Sequence, residues 1–282
     1  MKYLKGMRPD DLLYIYELAG TVVRPERHFQ KSLIAHWREG DSTFLFFSGP
    51  AERELPAFLA GHPGLSWVRT HEMTYRDWQA GGELETLAID RLRIVPLGRP
   101  VPADDRHLTI IIDPGVVFGS GQHPTTRDSL RALLQVYEEA APARVLDLGS
   151  GTGILALAAL KLGAREVLAV DWNPACVANT RRNAALNGYS ERLRIVEGGA
   201  ETYIVEPADL LLANLHFAVV EDLVQAPAFY EKPWVIVSGL LRSEARAVKA
   251  RLGQQPSFTL VREWETDGTW FTLLGRNRGP HG

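Results

Sequence analysis

The stretch RVLDLGSGTGILALAALKLGAREVLAVD, residues 144–171, decides the fold of this 282-residue chain. A short apolar run ends in the glycine turn GSGTG at residues 149–153. Residues 154–162 follow, rich in alanine and leucine and free of helix breakers, and a second β-rich run ends at Asp171. Because a strand buried on both faces reads as a continuous apolar run, this order predicts a strand, a glycine turn, a helix and a second parallel strand.

The spacing of the glycines selects the class of ligand. A dinucleotide fingerprint is G-x-G-x-x-G, and its third glycine position here holds Ile154. The pattern is instead D-x-G-x-G-x-G, with Asp147 at the end of the first strand, and no Lys-Ser/Thr pair follows to complete a phosphate loop. A phosphate-free nucleoside fits better. We expect glycine at positions 149 and 151 because a Cβ atom would fill the space of the ligand.

Asp171 completes the predicted nucleoside site. It lies 22 residues after Gly149 (171 − 149) at the end of the second strand, where a carboxylate can accept both ribose hydroxyls. Glu201, after the third strand of this region, lies at the height of an adenine edge. Together these features predict S-adenosylmethionine as the cofactor. The alternative is an α/β fold that carries a glycine turn and a strand-end aspartate without any cofactor.

Composition narrows the class of protein. With 45% hydrophobic residues the chain can bury a sizeable core, and 31 basic against 34 acidic residues give a net charge of −3, so no global basic field draws it to nucleic acid. The N-terminus lacks the apolar core of a signal peptide and no run approaches the ~18 apolar residues of a membrane span. We expect a cytoplasmic protein without membrane or direct nucleic-acid partners. The single cysteine excludes an internal disulfide, and the histidine spacing predicts no metal site.

The chain is predicted to form two domains joined by a linker. Residues 1–76 show the element order βαββαβ, which is typical of a small ferredoxin-like α+β domain. Residues 77–106 are punctuated by glycine and proline around one strand, residues 87–95, and are interpreted as the linker. Residues 107–282 alternate strands and helices and end in an antiparallel hairpin, which predicts a mostly parallel sheet.

Four separated stretches resemble one family, the ribosomal protein L11 methyltransferases. They are DPGVVFGSGQHPTT at 113–126, DLGSGTG at 147–153, DWNP at 171–174 and ANL at 213–215, and the first is the most specific. The resemblance extends over about residues 75 to 275. It implies a Rossmann-like class I methyltransferase domain with a seven-stranded sheet, preceded by a ferredoxin-like domain that recognises the protein substrate.

The resemblance also implies a set of site residues. The cofactor site would comprise Phe118, Thr125, Asp147, Gly149, Gly151, Asp171, Trp172 and Asn214, with Thr126 and His123 as neighbours. Two positions depart from the family pattern. Position 172 is Trp where the family usually has a small aliphatic residue, and Asn214 is followed by Leu-His-Phe rather than by small or aliphatic residues. The latter resembles the N-P-P-aromatic motif of amine methyltransferases that act on bases or glutamine.

The predicted chemistry centres on Asn214. Its side-chain carbonyl would accept a hydrogen from a neutral lysine or α-amino group and aim the nitrogen lone pair at the methyl group. His123 or His216 could accept the departing proton. The alternative for Asn214 is a cap on the following helix, residues 217–224.

Three functions stay open at this point. The first is a protein lysine or α-amine methyltransferase acting on ribosomal protein L11 or a similar protein. The second is an amine methyltransferase for a nucleobase or small molecule, and the third is a non-catalytic cofactor-binding module. The intact aspartates, glycines and Asn214 argue against the third. The sequence predicts no oligomeric state.

Overall fold

A computed structural model describes residues 10–22, 25–29, 33–39, 41–74, 85–103 and 106–278. The chain divides into two compact units, residues 1–84 and 85–282. Among the described residues, no helix combines the length and the apolar character needed to cross a lipid bilayer.

The first unit has the predicted ferredoxin-like order. Its elements are β1 (Leu12–Ala19), α1 (Glu26–Phe29), β2 (Leu33–Glu39), β3 (Ser42–Phe47), α2 (Leu55–Ala60) and β4 (Ser66–Thr74). The strands form an antiparallel sheet in the order β2-β3-β1-β4, so the first strand lies in the interior of the sheet and the last lies at its edge. Tyr16, Phe47 and Phe58 are buried in its core, whereas Trp67 on β4 is half exposed.

The second unit contains the remaining elements. They are β5 (Leu87–Ile89), β6 (Leu92–Pro96), β7 (Leu108–Ile112), α3 (Pro124–Glu139), β8 (Arg144–Leu148), α4 (Ile154–Leu162), β9 (Glu166–Asp171), α5 (Pro174–Leu186), β10 (Leu193–Glu197), α6 (Ala200–Tyr203), β11 (Leu210–Asn214), α7 (Phe217–Leu223), a 3₁₀ turn (Pro227–Glu231), β12 (Trp234–Leu241), α8 (Arg242–Leu252), β13 (Phe258–Thr266) and β14 (Trp270–Asn277).

Seven of these strands form one sheet in the order β10-β9-β8-β11-β12-β14-β13. The first five run parallel, and β14 inserts antiparallel between β12 and β13. Alternation along β11 shows how both faces are covered: Leu210 and Leu212 pack with α3 and α4, while Leu211 and Ala213 pack with α7 and α8. The predicted class I methyltransferase fold is confirmed.

The predicted linker, residues 77–106, differs from the observed structure in its second part. Residues 85–103 belong to the second unit, where β5 and β6 pair antiparallel and β6 runs parallel to β7. The glycines and prolines suggested a connection, but Leu92, Ile94 and Val95 are buried, and their burial holds this segment in the fold. The boundary between the units falls at residue 84, and residues 75–84 lie outside the described part of the chain.

The helix α3 begins at Pro124, inside the 113–126 motif. His123 has extended backbone geometry, its side chain accepts from the backbone of Thr125, and Pro124 occupies the first turn of α3. A proline there costs no hydrogen bond, because the first N–H groups of a helix have no partner within the helix. This start places the four residues His-Pro-Thr-Thr, 123–126, at the N-terminus of α3.

Candidate active site

The candidate site lies where the parallel strands of the second unit end. The register pairs Leu148 on β8 with Val170 on β9 and with Ala213 on β11, so Asp171 and Asn214 follow at one edge of the sheet. Ligands of open α/β sheets bind at this carboxyl edge. Predicted site residues that are up to about 100 positions apart in the sequence thus lie at one end of the unit.

The glycine turn is shaped by contacts within the protein. Gly149 and Gly151 have φ of +77° and +53°, a conformation that side chains rarely adopt. A Cβ atom at Gly149 would overlap the side chain of Leu215, and one at Gly151 would overlap the carbonyl oxygen of Phe118. Contacts within the protein therefore already require glycine at both positions, and the expectation that they also keep space for a ligand stays a prediction.

Asp171 holds the turn to the next strand. Its Oδ2 accepts from the backbone N–H of Gly151 at 2.9 Å, and its Oδ1 accepts from that of Asn173 at 2.9 Å. Burial raises the pKa of this carboxyl group, and the two N–H donors and the thiol of Cys176 oppose that shift. A carboxylate offers about four acceptor positions, so at least one remains for a further hydroxyl donor.

Asp147 is buried more deeply. Its Oδ2 accepts from the backbone N–H of Ala156 at 3.2 Å, but its Oδ1 has no hydrogen-bond partner among the described residues. Burial raises the pKa of Asp147 to about 7, and the nearby charge of Asp171 adds to the increase. The carboxyl group is thus under-satisfied in a site with little solvent.

The glycine-rich segment after β7 is held by side chains of α5. Asn183 donates to the carbonyl groups of Asp113 and Thr152, at 3.0 and 2.9 Å, and accepts from the backbone N–H of Asp113 at 2.8 Å. Arg182 forms an ion pair of 2.6 Å with the carboxylate of Asp113. One asparagine thereby joins the 113–121 segment to the glycine turn.

The sequence prediction missed Asn183, although a signal was present. Asn179, Asn183 and Asn187 recur every four residues and therefore share one face of α5. Asn187 bonds both backbone groups of Ile111 on β7, at 2.9 and 2.7 Å. A polar stripe on a helix that packs against strands indicates that the helix binds backbone groups.

His123, Thr125 and Asn214 form a chain of hydrogen bonds. The Nδ1 of His123 lies 2.7 Å from the hydroxyl oxygen of Thr125 and accepts from its backbone N–H at 3.3 Å. The amide nitrogen of Asn214 lies 3.4 Å from the same hydroxyl oxygen. Asn214 does not cap the following helix, since the cap position of α7 is His216.

The first turn of α3 is fixed to the sheet behind this chain. Ser238 donates from its hydroxyl to the carbonyl of Thr125 at 3.2 Å and lies 2.6 Å from the hydroxyl of Thr272. Next to Ser238, Gly239 has φ of +88°, and a Cβ there would lie 3.1 Å from the Oδ1 of Asn214. Ser238, Gly239 and Thr272 were not predicted from sequence, because only strand pairing brings Ser238 beside Asn214 and Thr272 beside Ser238.

The other predicted residues differ in their exposure. The rings of Phe118 and Trp172 are 48% and 40% exposed at this edge, so they can offer flat surfaces to a ligand. Thr126 is buried, and its hydroxyl has no partner in the described part of the chain. Glu201 is exposed in the first turn of α6, and His216 is exposed with no side-chain capping bond.

Comparison with known proteins gives the family. The family model "Ribosomal protein L11 methyltransferase (PrmA)" matches residues 66–278. This chain belongs to the ribosomal protein L11 methyltransferase family. The match begins on β4 and includes the whole candidate site, so the resemblance predicted from the four motifs is confirmed.

Individual relatives agree with this assignment. A ribosomal protein L11 methyltransferase of Gloeobacter violaceus is 40% identical over 71% of this chain, but the match spans 63% of that relative's length. That of Deinococcus radiodurans is 34% identical over 94% of this chain and 99% of the relative. Among solved structures, the ribosomal protein L11 methylase of Lactobacillus delbrueckii subsp. bulgaricus aligns with a TM-score of 0.61 at 28% identity, over 68% of this chain and 98% of that one.

Proposed function

We propose that this protein transfers methyl groups from S-adenosylmethionine to amino groups of ribosomal protein L11. The observation that carries the proposal is the position of Asn214 beside the glycine turn and Asp171, at one edge of the sheet. The family supports the reaction class and the substrate. The geometry supports a site that holds a nucleoside at one end and an amine at the other.

The residues present fit S-adenosylmethionine. Asp171 keeps acceptor capacity for the ribose hydroxyls beside its bonds to the N–H groups of Gly151 and Asn173 and its contact with the thiol of Cys176. Phe118 and Trp172 offer exposed rings for the adenine or the sulfonium region. Glu201 is placed in the turn after β10. When bound, the cofactor supplies an electrophilic methyl group on a sulfonium.

The chain's own contribution is to present a neutral amine. A lysine amine with an ordinary pKa near 10.4 must lose a proton before it can react, which costs about 4.6 kcal/mol at pH 7. The Oδ1 of Asn214 is directed away from Thr125 and can accept one N–H of the neutral amine, which orients the nitrogen lone pair. A protonated amine has no lone pair, so only the neutral form is productive.

The departing proton is not assigned to either histidine. The Nδ1 of His123 already accepts hydrogen bonds from the hydroxyl and the backbone N–H of Thr125. The other ring nitrogen, Nε2, then carries the ring proton. His216 is exposed and makes no capping bond. The positions of the two histidines agree best with a lysine amine that loses its proton to water before it enters the site.

The first unit is proposed to bind the protein substrate. Its antiparallel sheet ends at β4, on which Trp67 and Val68 are 49% and 52% exposed. Exposed apolar side chains on an edge strand suit a protein partner rather than a small molecule. Binding energy from such a remote surface can position one amine at the second unit.

The direct test uses the full-length protein, S-adenosylmethionine labelled in its methyl group, and purified ribosomal protein L11. Label should enter that protein at amino groups, located by mass spectrometry of its peptides. A ribosomal RNA preparation and a mixture of free amines serve as comparison acceptors. Label in either of these, with none in ribosomal protein L11, would favour the nucleobase or small-molecule alternative.

The variant Asn214→Ala tests the role of the amide. We expect cofactor affinity, measured by calorimetry, to change less than about threefold, while the rate at saturation falls by about tenfold or more. Gln254→Ala removes an exposed amide far along the chain and should change neither quantity. A loss of cofactor affinity with a normal saturated rate would contradict the proposed role.

A further inference from the structure

The direction of the Asn214 amide follows from its neighbours. A backbone N–H can only donate, so the Nδ1 of His123 acts as an acceptor towards Thr125. The hydroxyl hydrogen of Thr125 then also points to this Nδ1, 2.7 Å away. The threonine oxygen has only lone pairs left, and Asn214 must present its NH₂ group to it.

Consequently the carbonyl oxygen of Asn214 is turned away from Thr125. No described residue donates to this oxygen, and glycine at position 239 avoids a Cβ atom that would lie 3.1 Å from it. The amide of an isolated asparagine could face either way. The orientation of the Asn214 amide therefore depends on the hydrogen bonds that connect it through Thr125 to His123.

We propose that His123, acting through Thr125, is a positioning residue that keeps the carbonyl of Asn214 facing the acceptor amine, and that protonation of His123 reverses this orientation. The inference rests on the proposed methyl transfer. A protonated imidazole cannot accept at Nδ1 and donates to the threonine oxygen instead. The threonine hydrogen is then released towards Asn214, whose amide is favoured in the opposite orientation.

The imidazole of His123 is half-buried between two aromatic rings. Its ring lies between Phe118 and Trp270, with ring centroids at 5.1 and 4.8 Å, and burial lowers the pKa of His123 below its ordinary value. Among the charged side chains of α3 and β14, Arg127 contacts Gln122, Asp128 pairs with Arg131, and Arg276 lies over the ring of Trp234. Asp113, at the start of the glycine-rich segment, pairs with Arg182.

The pH dependence of the rate distinguishes positioning from a structural role. With cofactor and acceptor saturating, the wild-type rate between about pH 8 and the pKa of His123 should fall about tenfold per pH unit, because the amine is being protonated. Below that pKa it should fall about a hundredfold per unit, because the imidazole is protonated as well.

Three variants make this test specific. His123→Asn keeps an acceptor for the Thr125 backbone but does not titrate, so its rate should fall only about tenfold per unit over the whole range. Thr125→Ser keeps the hydroxyl and the steeper limb, whereas Thr125→Val breaks the chain and should lower the rate about tenfold or more at pH 8. Cofactor affinity and circular dichroism at each pH exclude unfolding as the cause.

A second measurement does not depend on activity. Nitrogen-15 NMR of the imidazole should show Nδ1 unprotonated and Nε2 protonated in the neutral form. A neutral ring protonated at Nδ1, or a steep acid limb that persists in His123→Asn, would overturn the inference. If the wild type transfers no methyl group to ribosomal protein L11 at pH 8, the proposed function fails, and the NMR result still decides on the hydrogen-bond chain.

Discussion

The backbone amide of Gly151 donates to the Oδ2 of Asp171 at 2.9 Å, across 20 residues of sequence. This bond ties the glycine turn after β8 to the end of β9. The carboxylate therefore has a structural task in addition to its proposed binding of the ribose, and a substitution at this position acts on both.

Replacing Asp171 tests both tasks. Asp171→Ala should weaken S-adenosylmethionine binding by roughly 1.5 to 3 kcal/mol and should also lower the free energy of unfolding, because it leaves two buried N–H groups without an acceptor. Asp171→Asn keeps one acceptor oxygen and should be the more stable of the two. Calorimetry and denaturant titration measure the two effects. An unchanged dissociation constant in both variants would remove Asp171 from the cofactor site.

Asp147 makes stability depend on pH. Its pKa is raised to about 7 in the folded protein, so between the ordinary value near pH 4 and about pH 7 the unfolded chain binds fewer protons than the native one. The free energy of unfolding must then fall as pH rises through this window, by at most roughly 4 kcal/mol. Asp147→Asn should match the wild type near pH 4 and be more stable at about pH 7.5, measured without cofactor.

The exposed Asp222→Asn is the matched control for this experiment, since it removes a charge without removing a buried one. It should leave the pH profile of stability unchanged. A constant difference between Asp147→Asn and the wild type at every pH would show that the carboxyl group does not titrate in this window.

Gly149→Ala separates backbone strain from the contact with Leu215. Gly188 has nearly the same φ, +73° against +77°, but no atom lies within 4 Å of the position of its Cβ. Gly188→Ala should therefore cost about 1 kcal/mol, and Gly149→Ala at least about 2 kcal/mol. Chemical denaturation gives both values. A double-mutant cycle with Leu215→Ala should show favourable coupling, and equal costs for the two glycines would contradict the contact.

Removal of the first unit tests its proposed role in recognition. A protein that begins at Glu85 keeps every residue of the candidate site and should bind S-adenosylmethionine with unchanged affinity. Methylation of intact ribosomal protein L11 at limiting concentration should fall by about a hundredfold or more, because the remote binding energy is lost. Trp67→Ala in the full-length protein is the milder variant. Equal rates for the full-length and shortened proteins would exclude recognition by the first unit.

The sequence predicted those features that depend on neighbouring residues. The βαβ unit from 144 to 171 follows from one apolar run, one glycine turn and one alanine-rich helix, and the helix Ile154–Leu162 has the bounds expected. Asp171 could be assigned to the site because its position at a strand end is itself local.

Other features were hidden because their partners are distant in sequence. Asn183 binds Asp113, 70 residues away, and Asn214 lies beside Thr125, 89 residues away. The reason for glycine at position 149 could not be found before Leu215 was placed against it. The glycines and prolines of residues 77–106 suggested a linker. Residues 92–95 are buried in a strand, however, and this burial holds the segment in the second unit.

The position of β14 has a consequence for the order in which the sheet forms. This strand follows every other strand of the seven-stranded sheet along the chain, yet it lies between β12 and β13. Until β14 is in place, β13 has no neighbour to pair with in this sheet and Ser238 lacks Thr272. The β13–β14 hairpin must therefore form before β13 can join the sheet, because β14 supplies the contact with β12. The same step brings Thr272 against Ser238, which donates to the first turn of α3, so the end of the sheet that carries the candidate site should become rigid late in folding.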